Sequence, residues 1–146
     1  MKWRLIVVGK PSLAYAKAGV EEYLKRLRRY VPVEMVSVKG GSREEEGSRL
    51  LSASEGCYRL VFDERGELLH TRELANVVTD LEMDGGIKSV AVIIGGAEGH
   101  GDELRKSADR LISFGRLTLQ HELALVAATE QIYRVYSLKR GEPYHR

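Results

Sequence analysis

The chain has 146 residues, 43% hydrophobic and 30% charged, with a formal net charge of +2. That length suits one domain that buries most of its apolar surface. So small a net charge excludes a nucleic-acid role carried by global charge; a local basic patch would have to supply it. Cys57 is the only cysteine, so no internal disulfide forms and a reducing compartment fits. Met1-Lys2-Trp3-Arg4 is followed by only four apolar residues, too few for a signal sequence or a membrane span. The expectation is a single cytoplasmic domain over residues 1–146, without a membrane segment.

Residues 5–8 predict a short buried strand, ended by Gly9 and Pro11. Ser12 is placed to cap the helix that follows. Val20, Tyr23, Leu24 and Leu27 make its buried stripe. Lys25, Arg26, Arg28 and Arg29 cluster at its end, where cations suit the helix dipole. A phosphate-binding patch is the sharper alternative. Val33–Val38 predicts a second strand, and Lys39-Gly-Gly-Ser42 breaks it. Ser42 and Glu45 match a capping box for a short helix over about 44–51. Residues 58–62 predict a third strand, with Asp63-Glu-Arg-Gly66 as a turn just past its end. Leu74, Val77, Val78 and Leu81 form another helical stripe, stopped by Gly85 and Gly86.

The next stretch, Ser89-Val-Ala-Val-Ile-Ile-Gly-Gly-Ala-Glu-Gly-His-Gly101, organises the rest. Its unbroken β-branched run reads as a strand covered on both faces. Glycines at the end of such a strand let backbone approach a ligand closely, and in open α/β sheets ligands sit beyond the carboxyl ends of the strands. A ligand is therefore expected over Gly95, Gly96 and Gly99; a plain tight turn is the alternative. A short helix over about 102–108, a fifth strand near 111–113 and a loop over 114–120 come next. The last helix, over about 121–138, is apolar on two sides: Leu125, Ala128, Ile132 and Val135 on one, Leu123, Val126 and Ala127 on the other. A helix buried on both faces in so small a domain suggests a symmetric homodimer. Residues 140–146 read as an extended tail.

Strands alternating with helices argue an α/β fold with a parallel sheet. The glycine cluster is not a dinucleotide fingerprint, since with Gly99 and Gly101 as its first glycines the third would fall at Leu104. There is no Walker A motif and no Gly-x-Ser-x-Gly elbow. His70, His100, His121 and His145 show no metal-ligand spacing, so no metal is expected. Taken by itself, the pattern reaches a ligand-binding α/β domain, dimeric in its simplest form.

Three stretches taken together go further. They are Ile93-Ile-Gly-Gly-Ala-Glu-Gly99, the loop Leu117-Thr-Leu-Gln-His121, and Glu130-Gln-Ile-Tyr-Arg134 followed by Pro143-Tyr-His-Arg146. In order and spacing the set resembles the ribosomal RNA large subunit methyltransferase H family, small members of the SPOUT class. The likeness also takes in Val7-Val8-Gly9 and Glu22-Tyr-Leu24. The resemblance implies a parallel sheet flanked by helices with a C-terminal trefoil knot, a rare exception to ordinary connectivity. It implies S-adenosylmethionine as cofactor and a homodimer. The acceptor it implies is a pseudouridine in a stem-loop of 23S rRNA, methylated at N3, with assembled ribosome and free RNA both open as substrate.

Carried over by position, Phe62, Gly95, Phe114, Gly115, Arg116, Leu117, Thr118 and Leu119 would line the cofactor pocket. An adenosyl group wants an apolar slot with backbone donors and acceptors, and Phe62 and Phe114 would flank its ring. In the tail, His145 would assist removal of the N3 proton and Tyr144 would stack on or hydrogen-bond the base. Arg134 and Arg146 would hold phosphate or the developing imide anion. A disordered end is the bland alternative for the tail, and His121 and Glu130 read as structural. The family's usual arginine four residues after the histidine is Leu125 here, so this chain has either lost that contact or supplies it from elsewhere, with Arg116 as the candidate. Two other functions stay open: a non-catalytic RNA- or nucleotide-binding module of the same fold, and a SPOUT methyltransferase for another RNA.

Overall fold

A computed structural model describes residues 1–145. In chain order the elements are β1 (Lys2–Val8), α1 (Ala14–Leu27), β2 (Val33–Val38), α2 (Arg43–Ala53), β3 (Tyr58–Leu68), α3 (Thr71–Met83), β4 (Ser89–Ile94), α4 (Asp102–Ser107), β5 (Arg110–Ser113) and α5 (His121–Lys139). The strands form one sheet in the order β2-β1-β4-β3-β5, and every pairing is parallel. The expected parallel α/β sheet is therefore present, with β4 near its centre.

Alternation along the strands divides the core. Trp3, Leu5, Val7, Leu60, Phe62, Val90, Val92 and Ile94 face α1, α3 and α5. Ile6, Val61, Ala91 and Ile93 face the other way, toward Leu50 of α2 and Leu104 of α4. Because β4 is covered on both sides, its sequence is apolar at every position from Val90 to Ile94.

Ser42 and Glu45 form the expected capping box at the start of α2. Two local expectations fail. Residues 63–66 do not end the third strand: β3 runs on to Leu68, where Glu67 and Leu68 pair with Ile112 and Ser113 of β5 after a register shift. The charged run reads as a turn, but Asp63 at its start is tied to Arg105 at 2.9 Å and Glu67 just past it to Arg110 at 2.8 Å. Ser12 does not cap α1 with its side chain. The N-cap is Leu13, and the carboxylate of Glu122 in α5 accepts from the backbone N–H groups of Ser12 and Leu13 instead. The second apolar side of α5 is partly used within the chain. Val126 packs so closely on α1 that a Cβ added at Gly19 would lie 3.0 Å from it. Leu123 is 40% exposed, as are the neighbouring Leu13 at 39% and Tyr15 at 53%.

Candidate active site

The middle of β3 and the carboxyl ends of β4 and β5 open onto one cavity of about 520 Å³. Phe62 and Asp63 come from β3, Ile94 with Gly95 to His100 from the end of β4, and Ser113 to Gly115 from the end of β5. Leu117, Thr118, Leu119, Gln120, His121 and Ala124 close it from the loop and the first turn of α5. The glycine bend after β4 and the segment after β5 thus converge on one space, at the place where parallel sheets present ligands. Of the residues expected to line a cofactor pocket, Phe62, Gly95, Phe114, Gly115, Leu117, Thr118 and Leu119 line this cavity. Arg116 lies on the same loop but is exposed and stands outside the lining.

Phe62 and Phe114 are arranged differently from a pair of flanking walls. Their rings stack on each other, centroids 4.4 Å apart and planes 12° from parallel. A ring inserted between them would need about twice that separation, since each stacked pair sits at roughly 4.5 Å or more. The two phenylalanines therefore make one continuous apolar wall. Gly115, with φ of 150°, carries the chain past that wall in a conformation that favours glycine.

His100 lines the same cavity, and the sequence reading weighed it only as a metal ligand. Its ring tucks under Gly95, where an added Cβ would meet it at 3.0 Å. Nε2 donates to the carbonyl of Phe62 at 3.1 Å, so the imidazole pins the middle of β3 to the bend after β4. Nδ1 is buried without a partner among the described residues. Burial pushes this imidazole below the usual histidine value, against the opposing pull of Asp63. Asp63 and Arg105 form the polar side of the cavity, their ion pair nearly closed off from water. His121, read as structural, also lines the cavity; Gln120 caps α5, its side-chain oxygen accepting from the backbone of Glu122 and Leu123.

The structure describes the tail through His145, and Arg146 lies outside the described residues. Gly141, with φ of 68°, turns the chain back along α5. The Tyr144 hydroxyl donates to Glu130 at 2.9 Å, its ring stands edge-on to Tyr133, and the Arg134 guanidinium lies over it at 4.7 Å. Arg134 also binds Glu130 and reaches Nδ1 of His145 at 3.3 Å. Glu130 stands roughly 14 Å along the helix from His121 at the usual rise per residue. Within one chain, Arg134, Tyr144 and His145 are brought together, and none of them lines the cavity. At the end of α1, Arg26 is spent on Glu22 and on the faces of Tyr23 and Tyr133, and Arg28 on the carbonyl of Val33, in keeping with the structural reading of that cluster.

Residues 1–145 match the model of the family described as "Predicted SPOUT methyltransferase". The chain belongs to the SPOUT methyltransferase family. It is 49% identical to the ribosomal RNA large subunit methyltransferase H of Thermus thermophilus over 146 residues, spanning all of this chain and 99% of that protein. It is 41% identical to the protein of that name from Deinococcus deserti, with both chains spanned completely. Among solved structures, a probable methyltransferase from Bordetella pertussis superposes with a TM-score of 0.62 at 13% identity, covering 91% of this chain and 95% of that one. The tRNA (m1G37) methyltransferase of Aquifex aeolicus gives 0.57 at 18% identity, covering 92% and 70%. Those two likenesses concern the fold alone. Leu125, where the family resemblance places an arginine, is buried in the core with Ala128 and Ile132. No helix among the described residues is long and apolar enough to cross a membrane.

Proposed function

We propose that this chain is a cytoplasmic methyltransferase that uses S-adenosylmethionine to methylate N3 of a pseudouridine in a stem-loop of 23S rRNA. The observation that carries the reading is the convergence of the Gly95 bend and the 114–119 segment on one cavity, in a chain so similar to proteins named for rRNA methylation.

The residues present suit the cofactor. Leu117, Leu119, Ala124 and the Phe62–Phe114 wall offer apolar surface for an adenosyl group. The backbone of Gly95, Gly96 and Gly115 offers donors and acceptors with no side chain in the way, and Asp63 with Arg105 makes a charged side matched to an amino-acid zwitterion. When bound, the cofactor would supply a sulfonium methyl for N3 to take up, leaving a neutral thioether behind. N3 must first lose its proton, which passes to solvent, so the protein's task is to align the base and stabilise its imide charge. Tyr144, His145 and Arg146 supply the hydrogen-bonding groups and the cation for that task, with Arg134 held against Glu130 behind them.

In this reading the active unit is a homodimer. Leu13 and Tyr15 at the start of α1 and Leu123 at the start of α5 are exposed apolar side chains on two helix ends that Glu122 ties together, large enough to seed an interface. The tail lies well down α5 from its own cavity. Antiparallel pairing of two such faces would carry each tail toward the partner's cavity, as an isologous contact requires. The trefoil knot implied by the resemblance, formed by the 114–120 loop and α5, belongs to the same proposal.

Calorimetry with S-adenosylmethionine comes first: no binding in the micromolar range counts heavily against an enzyme. Ribosomes and naked RNA from a strain lacking the modification are then incubated with protein and the methyl group is mapped. Transfer to a base other than pseudouridine overturns the substrate. Truncation after Glu142 should abolish transfer and spare cofactor binding.

A further inference from the structure

Glu130 is the hub of the C-terminal cluster. One carboxylate oxygen accepts from Arg134 Nε at 2.9 Å, from its terminal nitrogen at 2.6 Å and from the Tyr144 hydroxyl at 2.9 Å. The other accepts from Gln131 at 2.8 Å, and Gln131 in turn holds Thr71 of α3 at 2.9 Å. The Glu130 side chain is only 15% exposed. A carboxylate so heavily committed fixes its partners in place, since charge-assisted bonds of this kind are shorter and stronger than neutral ones. The Arg134 guanidinium is therefore neutralised by Glu130, stacked over Tyr144, and left with one nitrogen that reaches His145. It is poorly placed to serve as a free phosphate clamp.

The contact with His145 decides a tautomer. A guanidinium can only donate, so Nδ1 of His145 must accept and carries no proton. In the neutral ring the proton sits on Nε2, which has no partner among the described residues, on a side chain that is half-buried at the surface. A base that needed Nδ1 would find it taken.

We propose that Glu130 and Arg134 are positioning residues that hold the Tyr144–His145 tail in one presentation, with His145 offering Nε2–H as a hydrogen-bond donor to the developing negative charge of the base. This rests on the methyl transfer proposed above. Glu130 and Arg134 act through the tail, and His145 alone of the three touches the acceptor. The donor role needs no change in the ring's protonation during the step, which suits a group whose other nitrogen faces a permanent cation.

The test has two arms on the full-length protein. In the first, nitrogen-15 NMR of the imidazoles is recorded without cofactor or RNA, with His145→Gln to assign the signals. The expected wild-type signature is an unprotonated, hydrogen-bonded Nδ1 and a protonated Nε2. In Arg134→Gln the Nδ1 signal should move to that of a free acceptor, and Arg134→Lys should recover part of the shift. In the second arm, Glu130→Gln and Arg134→Gln should lower kcat for methyl transfer roughly 10- to 100-fold, the size expected when a reacting group is misplaced by about an ångström. KM for S-adenosylmethionine should stay unchanged, a split that general loss of structure would not produce. A wild type that transfers methyl but carries its proton on Nδ1 overturns this proposal alone, as does Glu130→Gln with wild-type kcat. A wild type that shows the signature yet transfers nothing overturns the reaction and the donor role together.

Discussion

Glu122, in the first turn of α5, takes the backbone N–H of Ser12 at 2.6 Å. The same carboxylate accepts from Leu13 N at 3.0 Å and from the Ser12 hydroxyl at 3.1 Å. A side chain 110 residues away thus does the work of an N-cap for α1 and ties that helix to the mouth of the cavity. These backbone donors hold the Glu122 carboxyl below the usual carboxylate range, the bond from Leu13 contributing most. The sign follows directly. A depressed folded-state value means the stabilisation is complete above the unfolded carboxylate pKa and is lost as pH falls through the folded one. Glu34 and Glu45 are lowered as well and add to the same acid limb. Glu122→Gln should lower Tm at neutral pH, with the gap to wild type closing in acid. Melting curves that stay parallel down to pH 3 would remove the carboxylate from this role.

Phe62 and Phe114 predict a binding effect. Phe114 is 37% exposed, so its ring is held chiefly by the stack on Phe62 and by whatever fills the cavity. Phe114→Ala removes half of the apolar wall while leaving the sheet intact. Loss of one such aromatic contact is worth about 0.5–1.5 kcal/mol, so affinity for S-adenosylmethionine should fall roughly two- to tenfold with Tm shifted by only a few degrees. Titration calorimetry on the two proteins decides it; equal affinities would place the cofactor elsewhere.

The sheet, its helices and the ligand end of β4 were legible because period and punctuation agree there. Val90 to Ile94 is apolar at each step, and glycines follow at once. The cavity segments were legible through resemblance, and the structure brings them together. What escaped was non-local. Asp63 to Gly66 carries every mark of a turn; the strand continues through it because Glu67 and Leu68, just beyond, pair with Ile112 and Ser113 of β5, while Asp63 is held by Arg105 of α4. Ser12 looks like a cap because the real one is supplied by α5. His100 had no periodicity to flag it, and its signal was its place inside the glycine cluster, under Gly95. The division of labour between cavity and tail was hidden for the same reason. Sequence order puts His121 and Glu130 close, while a helix holds them well apart.

Gly66 tests the extended β3. A Cβ there would lie 2.5 Å from the backbone of Ile112, closer than any side chain tolerates. Gly66→Ala must push β3 and β5 apart just before Ser113 and Phe114, which line the cavity. Overpacking of this kind costs about 1–3 kcal/mol, so Tm should fall by several degrees and cofactor affinity with it. If residues 63–66 were an ordinary surface turn, alanine would be tolerated and neither quantity would move.

Trp3 and Tyr136 carry the last prediction. Trp3 is fully buried, its Nε1 donates to the Tyr136 hydroxyl at 2.9 Å, and that hydroxyl donates to Glu82 at 2.9 Å. The rings meet edge to face with centroids 6.2 Å apart. This chain of bonds joins the first strand to the last helix. Tyr136→Phe keeps the ring but leaves Trp3 Nε1 buried without an acceptor, at a cost of about 1–3 kcal/mol. Trp3→Phe leaves a cavity instead. Because both changes break one bond, their costs should not add: the double variant should be less destabilised than the sum of the singles, by roughly 0.5–3 kcal/mol for residues in contact. Burial raises the Tyr136 phenol above its ordinary value, so its contribution is complete below about pH 10, the unfolded value, and fades as pH climbs toward the folded one. Urea titrations of the four proteins at pH 7.5 and pH 10.5 read both effects. Strict additivity, or an alkaline loss unchanged in Tyr136→Phe, would show that the hydroxyl does not link these two elements.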